Sequence, residues 1–153
     1  MFVVFTAIFA IFMIIFDQII KIWTISTMSV YDSYSMIPGL IDITYVQNKG
    51  AAWSMLSGRV NFLIIISILS IIYFLFLSYK HRQADKKKNI IYGLIIGGAC
   101  GNLIDRLVYG FVIDMIDLSF IDFPIFNIAD ILISLGMFLL CLMIITKGEA
   151  EVL

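Results

Sequence analysis

Two aspartates in the last third of the chain could carry out acid–base chemistry. Asp114 lies in the run FVIDMID, and Asp130 follows in FPIFNIAD. Two nearby carboxylates do not both ionise easily, so one keeps a proton while the other stays charged. The charged member can take a proton from water and the protonated member can polarise a carbonyl, which suits amide hydrolysis. The spacing alone does not bring the two side chains together, and it leaves Asp117 and Asp122 open as alternatives.

Further polar residues lie close to these aspartates along the chain. Asn102 and Asp105 are three residues apart in GGACGNLIDR and would share one face of a helix that ends near Arg106. A structural network is the favoured role of Asp105 and Arg106, whereas Asn102 could hold a substrate carbonyl or a neighbouring carboxylate. Asn127 precedes Asp130 by three residues, although an aspartate in a first helical turn can also be a simple partner of the helix dipole.

Asp17 and Lys21 are four residues apart, and we expect a structural i,i+4 ion pair between them.

The residues that other catalytic mechanisms require are missing from the sequence. There is no cluster of His, Cys and Glu with metal-ligand spacing, and the only histidine, His81, lies in a basic loop. The sequence also lacks a G-x-S-x-G elbow and a P-loop. No metal is therefore expected.

The composition places the chain in a membrane. Hydrophobic residues make up 62% of its 153 residues and charged residues only 14%, whereas soluble domains are about 45–50% apolar and about 25% charged. A net charge of −1 argues against nucleic-acid binding. Cys100 and Cys141 both lie inside apolar runs, so we expect them to be small hydrophobes and not a disulfide.

Four stretches are long and apolar enough to span a bilayer, which takes about 20 residues. The first has no basic n-region and no A-x-A cleavage site, which favours a retained helix over a signal peptide. The chain is expected to form a single integral membrane domain, residues 1–153, with spans at approximately 1–23, 60–79, 89–107 and 125–146.

The basic residues predict the orientation. The loop KHRQADKKK between the second and third spans holds five of the ten Lys and Arg residues, so the positive-inside rule places it in the cytoplasm. Both termini are then cytoplasmic, and residues 24–59 and 108–124 lie outside. The candidate carboxylates therefore lie on the extracytoplasmic side, where water is available.

The first outer segment is too long for a simple turn. Leu40–Gln47 is rich in β-branched and aromatic residues and predicts a short strand. Ala51–Leu56 could be an interfacial helix, with Trp53 at the depth of the lipid headgroups. The predicted fold class is an all-α membrane protein of four transmembrane helices with a small extracytoplasmic β-sheet and a short interfacial helix.

Five motifs occur in a fixed order along this topology. They are DQIIK from Asp17, NKGAAWS from Asn48, GNLIDR from Gly101, VIDMID from Val112 and FNIAD from Phe126. No single motif is specific, but the five motifs in this order and at this spacing, over nearly the whole chain, form a specific pattern. In these motifs the sequence resembles the bacterial lipoprotein signal peptidases (signal peptidase II), an aspartic peptidase family.

The resemblance implies a function and a set of site residues. Asp114 and Asp130 would be the catalytic pair, in the bacterial cytoplasmic membrane. The substrates would be prolipoproteins that carry a diacylglyceryl group, cut just before the lipidated cysteine, with no cofactor and with sensitivity to globomycin-type inhibitors. Nothing requires more than a monomer. The residues that line or support the site would be Asn48, Gly50, Asn102, Arg106, Asn127 and Ala129. The polar residues with a structural role would be Asp17, Lys21 and Asp105.

Two positions depart from the family pattern. Ile131 stands where a serine usually follows the second aspartate, and Met115 stands where phenylalanine is common. Neither change removes a carboxylate. We also expect the segment Asn48–Leu56 to act as a lid over a groove that opens to the bilayer.

A small ion or proton transporter that uses the outer carboxylates is the alternative function. A relay would need ionisable groups staggered through the bilayer. Here they cluster at one side, which favours hydrolysis. A purely structural membrane subunit, the third possibility, would not need paired acidic residues outside.

Overall fold

The computed structural model describes residues 2–50, 56, 58–80 and 86–148. It contains four helices, each long and apolar enough to cross a membrane, and one antiparallel sheet. The helices are α1 (Phe2–Thr27), α2 (Val60–Lys80), α3 (Lys86–Val108) and α4 (Ile128–Lys147), and the strands are β1 (Ser33–Ile37), β2 (Ile41–Asn48) and β3 (Val112–Leu118).

Each of the four predicted spans coincides with a helix of membrane-span character, with shifted ends. The first helix continues to Thr27, beyond the predicted end near residue 23. The fourth begins at Ile128 and not at 125, because the side chain of Asn127 caps the helix by accepting a hydrogen bond from the backbone of Asp130.

Helix α3 is the centre of the bundle and packs against the three other helices. Of its most apolar stretch 67% is buried inside the protein, against 17–28% for the other helices. Glycines permit this packing, since a Cβ atom on Gly97 would overlap Met13 of α1, and one on Gly98 would overlap the carbonyl oxygen of Ala129 in α4. The outer faces of α1, α2 and α4 leave large apolar side chains exposed, as lipid-facing helices do.

The sheet lies at one end of the helix bundle, with strand order β1-β2-β3. The predicted strand Leu40–Gln47 is confirmed as β2, displaced by one residue. Strand β3 falls in a segment that the sequence predicts only as an outer loop, and its apolar residues Ile113 and Met115 pack with Met28 and Tyr45 in a core beneath the sheet. This core also contacts Ile20 and Ile25, so it packs β3 against the end of α1.

The predicted interfacial helix Ala51–Leu56, with Trp53, lies outside the described residues except for Leu56. That residue lies in a turn with a left-handed backbone (φ 58°). The lid expected at Asn48–Leu56 is therefore described only at residues 48–50 and 56, and His81 also lies outside the described residues.

Candidate active site

A cavity of about 570 Å³ lies where α3 ends and α4 begins. The carboxylates of Asp114, from β3, and Asp130, from the first turn of α4, both line it. The aspartates singled out from the sequence therefore meet at one site. The other polar lining residues are Asn48, Gly50, Asn102, Arg106 and Ser134, and the apolar part includes Phe123, Ile125, Phe126, Ile131 and Leu135.

Asn127 connects the two carboxylates. Its side-chain Nδ2 donates to Asp114 Oδ1 at 2.6 Å. Its Oδ1 accepts the backbone N–H of Asp130 at 3.0 Å, and its own backbone N–H donates back to Asp130 Oδ2 at 3.3 Å. This reciprocal pair is a capping box at the start of α4. One buried asparagine thus caps the helix and is hydrogen-bonded to both carboxylates.

Two further amides complete the donors around the carboxylates. Asn48 Nδ2 donates to Asp114 Oδ2 at 2.9 Å, and Asn102 Nδ2 donates to Asp130 Oδ1 at 2.7 Å. Every carboxylate oxygen of the pair therefore accepts a hydrogen bond. Of the two contacts considered for Asn102, the structure contains the one to a neighbouring carboxylate.

Asp114 is buried, with 2% of its surface exposed. Burial raises the pKa of its carboxyl from 3.8 to about 7, and the charge of Asp130 acts in the same direction. Hydrogen bonds from Asn48 and Asn127 lower this pKa but do not cancel the effect. At neutral pH Asp114 is therefore poised between its protonated and charged forms, as acid–base chemistry requires.

Arg106 joins the end of α3 to the turn that follows β2. Its Nη2 donates to the carbonyl oxygen of Gly50 at 3.3 Å, and its Nη1 donates to that of Asn102 at 3.4 Å. The backbone N–H of Gly50 in turn donates to Asn48 Oδ1 at 2.8 Å. The guanidinium and the amide together hold this turn against the cavity wall.

The predicted Asp17–Lys21 ion pair is present, with Nζ 3.0 Å from Asp17 Oδ2. The structure adds a second partner, because Lys21 Nζ also lies 2.8 Å from Asp105 Oδ2. All three side chains are buried inside the protein. Gln18, which the sequence interpretation did not single out although it follows Asp17 in the first motif, donates to Asp105 Oδ1 at 2.9 Å.

A second cavity, of about 620 Å³, adjoins the first and shares Asn48 and Asp114 with it. It also exposes Tyr31, Gln47 and Lys49, none of which the sequence interpretation assigned to the site. Asp122, one of the alternative acids, lines this second cavity. Among the described residues, Asp117 lines neither cavity, and its carboxylate accepts from Thr44 Oγ1 at 3.1 Å.

Within the described part of the chain, no three His, Cys, Asp or Glu residues lie close enough together to hold a metal ion. The fold and the cavity define a class: a membrane protein of four helices with paired carboxylates in a largely apolar cavity at one end of the bundle.

Comparison with known proteins identifies the family. Residues 9–146 match the family described as "Signal peptidase (SPase) II". The lipoprotein signal peptidase of Lactococcus lactis subsp. lactis (strain IL1403) is 42% identical over 138 residues, which are 90% of this chain and 91% of the relative. That of Staphylococcus aureus (strain JH9) is 39% identical over 149 residues, 94% of this chain and 91% of the relative.

Two solved structures, both described as bacterial membrane enzymes, share the fold. One has a TM-score of 0.89 at 36% identity and covers 95% of this chain and 90% of its own. The other has a TM-score of 0.85 at 38% identity and covers 93% of each chain. The chain belongs to the signal peptidase II family. It is a multi-pass bacterial membrane protein and an aspartic peptidase that removes signal peptides from prolipoproteins.

Proposed function

We propose that the chain cleaves diacylglyceryl-modified prolipoproteins just before the lipidated cysteine, with Asp114 and Asp130 as its catalytic pair. The observation that carries this proposal is the junction at Asn127, through which both carboxylates are held at one cavity. In this proposal Asn48, Asn102, Asn127 and Arg106 position the pair and the turn beside it.

The proposed reaction needs one proton shared by the two acids. The charged carboxylate takes a proton from water, and the resulting hydroxide attacks the scissile carbonyl carbon. The protonated carboxyl gives its proton to the carbonyl oxygen, which yields a neutral tetrahedral diol. When the C–N bond breaks, the amine receives a proton from the first acid and the diol returns one to the second, which restores the starting pair.

The apolar cavity suits the signal-peptide side of the substrate. From Asp130 it continues along α4 past Ile131 to Ser134 and Leu135, about one helical turn deeper. A substrate that is a membrane helix with two acyl chains reaches such a cavity laterally through lipid. Ile131, at the position of the usual serine, adds apolar surface beside the second carboxylate.

The second cavity suits the polar chain that follows the cut. It also reaches Asp114 and is lined by Gln47, Lys49 and Asp122, which can hydrogen-bond an extended peptide. A substrate that extends from the apolar into the polar cavity passes Asp114, which lines both of them. This route places the scissile bond where water and hydrocarbon meet.

The proposed orientation has cytoplasmic termini and an extracytoplasmic site. The basic loop immediately precedes α3, whereas Asn102 and Arg106 lie near the opposite end of that helix. If the basic loop is cytoplasmic, the cavity opens on the outer side. We also expect globomycin-type peptides to compete with substrate in the apolar cavity.

The test is cleavage of a diacylated prolipoprotein by the purified protein in detergent, followed by mass spectrometry of the products. Wild type should release a product that begins at the lipidated cysteine, and Asp114→Asn and Asp130→Asn should release none. Asp117→Asn is the matched control and should stay active, because Asp117 contacts Thr44 away from the cavity. Full activity in either of the first two variants contradicts the assignment of the pair.

A further inference from the structure

Lys21 is a buried cation that the proposed chemistry does not use. Its side chain is 1% exposed. Besides its two ion pairs, its Nζ lies 3.0 Å from Asn102 Oδ1, which is a neutral acceptor. The two carboxylates of Asp17 and Asp105 already more than balance the single charge of the ammonium, so the contact with Asn102 calls for a separate explanation.

The contact with Lys21 determines which way the Asn102 amide faces. An ammonium group donates hydrogen bonds and cannot accept them. Asn102 must therefore turn its Oδ1 toward Lys21, which directs its Nδ2 to Asp130 Oδ1 at 2.7 Å. The reversed amide would set NH₂ against the ammonium and an oxygen against the carboxylate, in a place too buried for water to relieve either contact.

The same oxygen orients a second amide. Asn102 Oδ1 also accepts from Asn127 Nδ2 at 3.1 Å. Because that nitrogen is held near Asn102, it faces Asp114 Oδ1 at 2.6 Å, while Asn127 Oδ1 faces the backbone N–H of Asp130. One cation thus sets the direction of two amides, and each amide presents an N–H donor to one carboxylate.

The acids that bind Lys21 also hold the backbone beside the site. Asp17 Oδ1 accepts the N–H of Ala129 at 2.9 Å, and Asp105 Oδ2 accepts the N–H of Ile113 at 3.1 Å. In each case the donor is the residue immediately before one of the two paired aspartates. The buried cluster therefore reaches each aspartate through its backbone as well as through an asparagine side chain.

We propose that Lys21 is a positioning residue for catalysis, which acts through Asn102 and Asn127 to direct N–H donors at both carboxylates. The proposal rests on the proposed function, because that function makes Asp114 and Asp130 the catalytic pair. A merely structural Lys21 would affect how much protein folds, whereas a positioning Lys21 affects the turnover of the protein that does fold.

The decisive comparison is between Lys21→Met and Lys21→Gln. The two side chains extend the same number of atoms away from the backbone and both remove the charge, but only glutamine keeps an N–H that can donate toward Asn102 Oδ1. We expect kcat on a diacylated prolipoprotein to fall on the order of 10–100-fold in Lys21→Met with KM little changed, and to recover severalfold in Lys21→Gln. Equal kcat in the two variants, or wild-type kcat in Lys21→Met, overturns the proposal.

Thr6→Val is the matched control for lost stability. Thr6 joins the same two helices through a buried hydrogen bond from its Oγ1 to Asn89 Oδ1 at 3.0 Å, near the other end of α1. This variant should lower the unfolding midpoint in detergent and leave kcat unchanged. A fall in its kcat as large as that of Lys21→Met would show that weakened packing of α1 on α3 is enough, and would overturn a specific role of Lys21.

A measurement on protein with an intact Lys21 covers the case in which neither variant folds. With ¹⁵N-asparagine labelling, the Asn102 side chain should show one amide proton shifted downfield by its bond to Asp130. That shift should change in Asp130→Asn and not in Asp117→Asn, and an unchanged shift overturns the proposed orientation. Failure of the proposed function would look different, since wild type itself would then not cleave the prolipoprotein.

Discussion

Asn127 Nδ2 lies 2.6 Å from Asp114 Oδ1, so the residue that caps α4 also binds a carboxylate on β3. The start of helix α4 and a carboxylate on strand β3 are therefore linked through one side chain. Because Asp130 is the other half of the capping box, a change in the cap necessarily changes the relation between the two acids.

Variants of Asn127 should separate its two tasks. Asn127→Ala loses both the cap and the donor to Asp114, whereas Asn127→Ser keeps a good cap but is too short to reach Asp114. We expect the alanine variant to be less stable than the serine variant by about 0.5–2 kcal/mol. Both should lose activity on the order of 100-fold. Unfolding in mixed micelles and cleavage rates measure the two effects, and an active serine variant would contradict the role of the donor.

The pKa of Asp114 predicts the pH dependence of activity. Burial and the charge of Asp130 raise this pKa to about 7, and the proposed reaction needs one proton on the pair. The rate should therefore fall as the pH rises through about 7. Asn48→Ala removes a hydrogen bond that lowers the pKa of Asp114. In this variant, the fall of kcat on the alkaline side should therefore move to higher pH. Thr44→Val, on the same strand, loses a bond to Asp117 and should leave the limb in place.

Stability should depend on pH with a defined sign. The pKa of Asp114 is higher in the folded protein than its ordinary value of 3.8. Its stabilising contribution is therefore fully present below about pH 4 and is lost as the pH rises through about 7. Relative to wild type, Asp114→Asn should gain stability as the pH rises over this window. If the difference in unfolding free energy between Asp114→Asn and wild type stays constant over this window, the raised pKa of Asp114 is contradicted.

Glycines on α3 should differ in their tolerance of alanine. At Gly98 a new Cβ would meet the backbone oxygen of Ala129, which cannot move without shifting α4 next to Asp130. At Gly93 the nearest atom is Cδ1 of the Phe9 ring, 2.7 Å away, at the end of a side chain that can rotate. We expect Gly98→Ala to cost about 1–3 kcal/mol and Gly93→Ala to cost less, as measured by unfolding in mixed micelles. If Gly98→Ala and Gly93→Ala lose the same free energy of unfolding, α4 can shift on α3 without a penalty and the prediction is wrong.

The sequence is sufficient for the features that local pattern determines. The four spans follow from uninterrupted apolar runs, the Asp17–Lys21 pair follows from helical spacing, and the strand near Leu40–Gln47 follows from its β-branched residues. Each depends on residues within a few positions of one another. The five motifs extend this to the family, which the comparisons confirm.

Features that depend on distant contacts could not be predicted in the same way. Strand β3 is a short apolar run with acids, which becomes a strand only because β2 pairs with it and a core packs beneath it. Lys21 meets Asn102 and Asp105 across two helices, far apart in the chain. The backbone N–H of Ala129 donates to Asp17, a contact across 112 residues that no local pattern indicates.

The apolar cavity along α4 predicts that narrowing it will weaken substrate binding. Ser134 lines this cavity one turn below Asp130, so a large side chain there would occupy the space proposed for the signal peptide without touching the carboxylates. We expect Ser134→Trp to raise KM about tenfold or more, which corresponds to about 1.4 kcal/mol of lost binding, with kcat at saturating substrate retained. Ile145→Trp is the control, because Ile145 is 81% exposed on the same helix, some three turns further along. Equal KM values in the two variants would exclude this cavity as the site of the signal peptide.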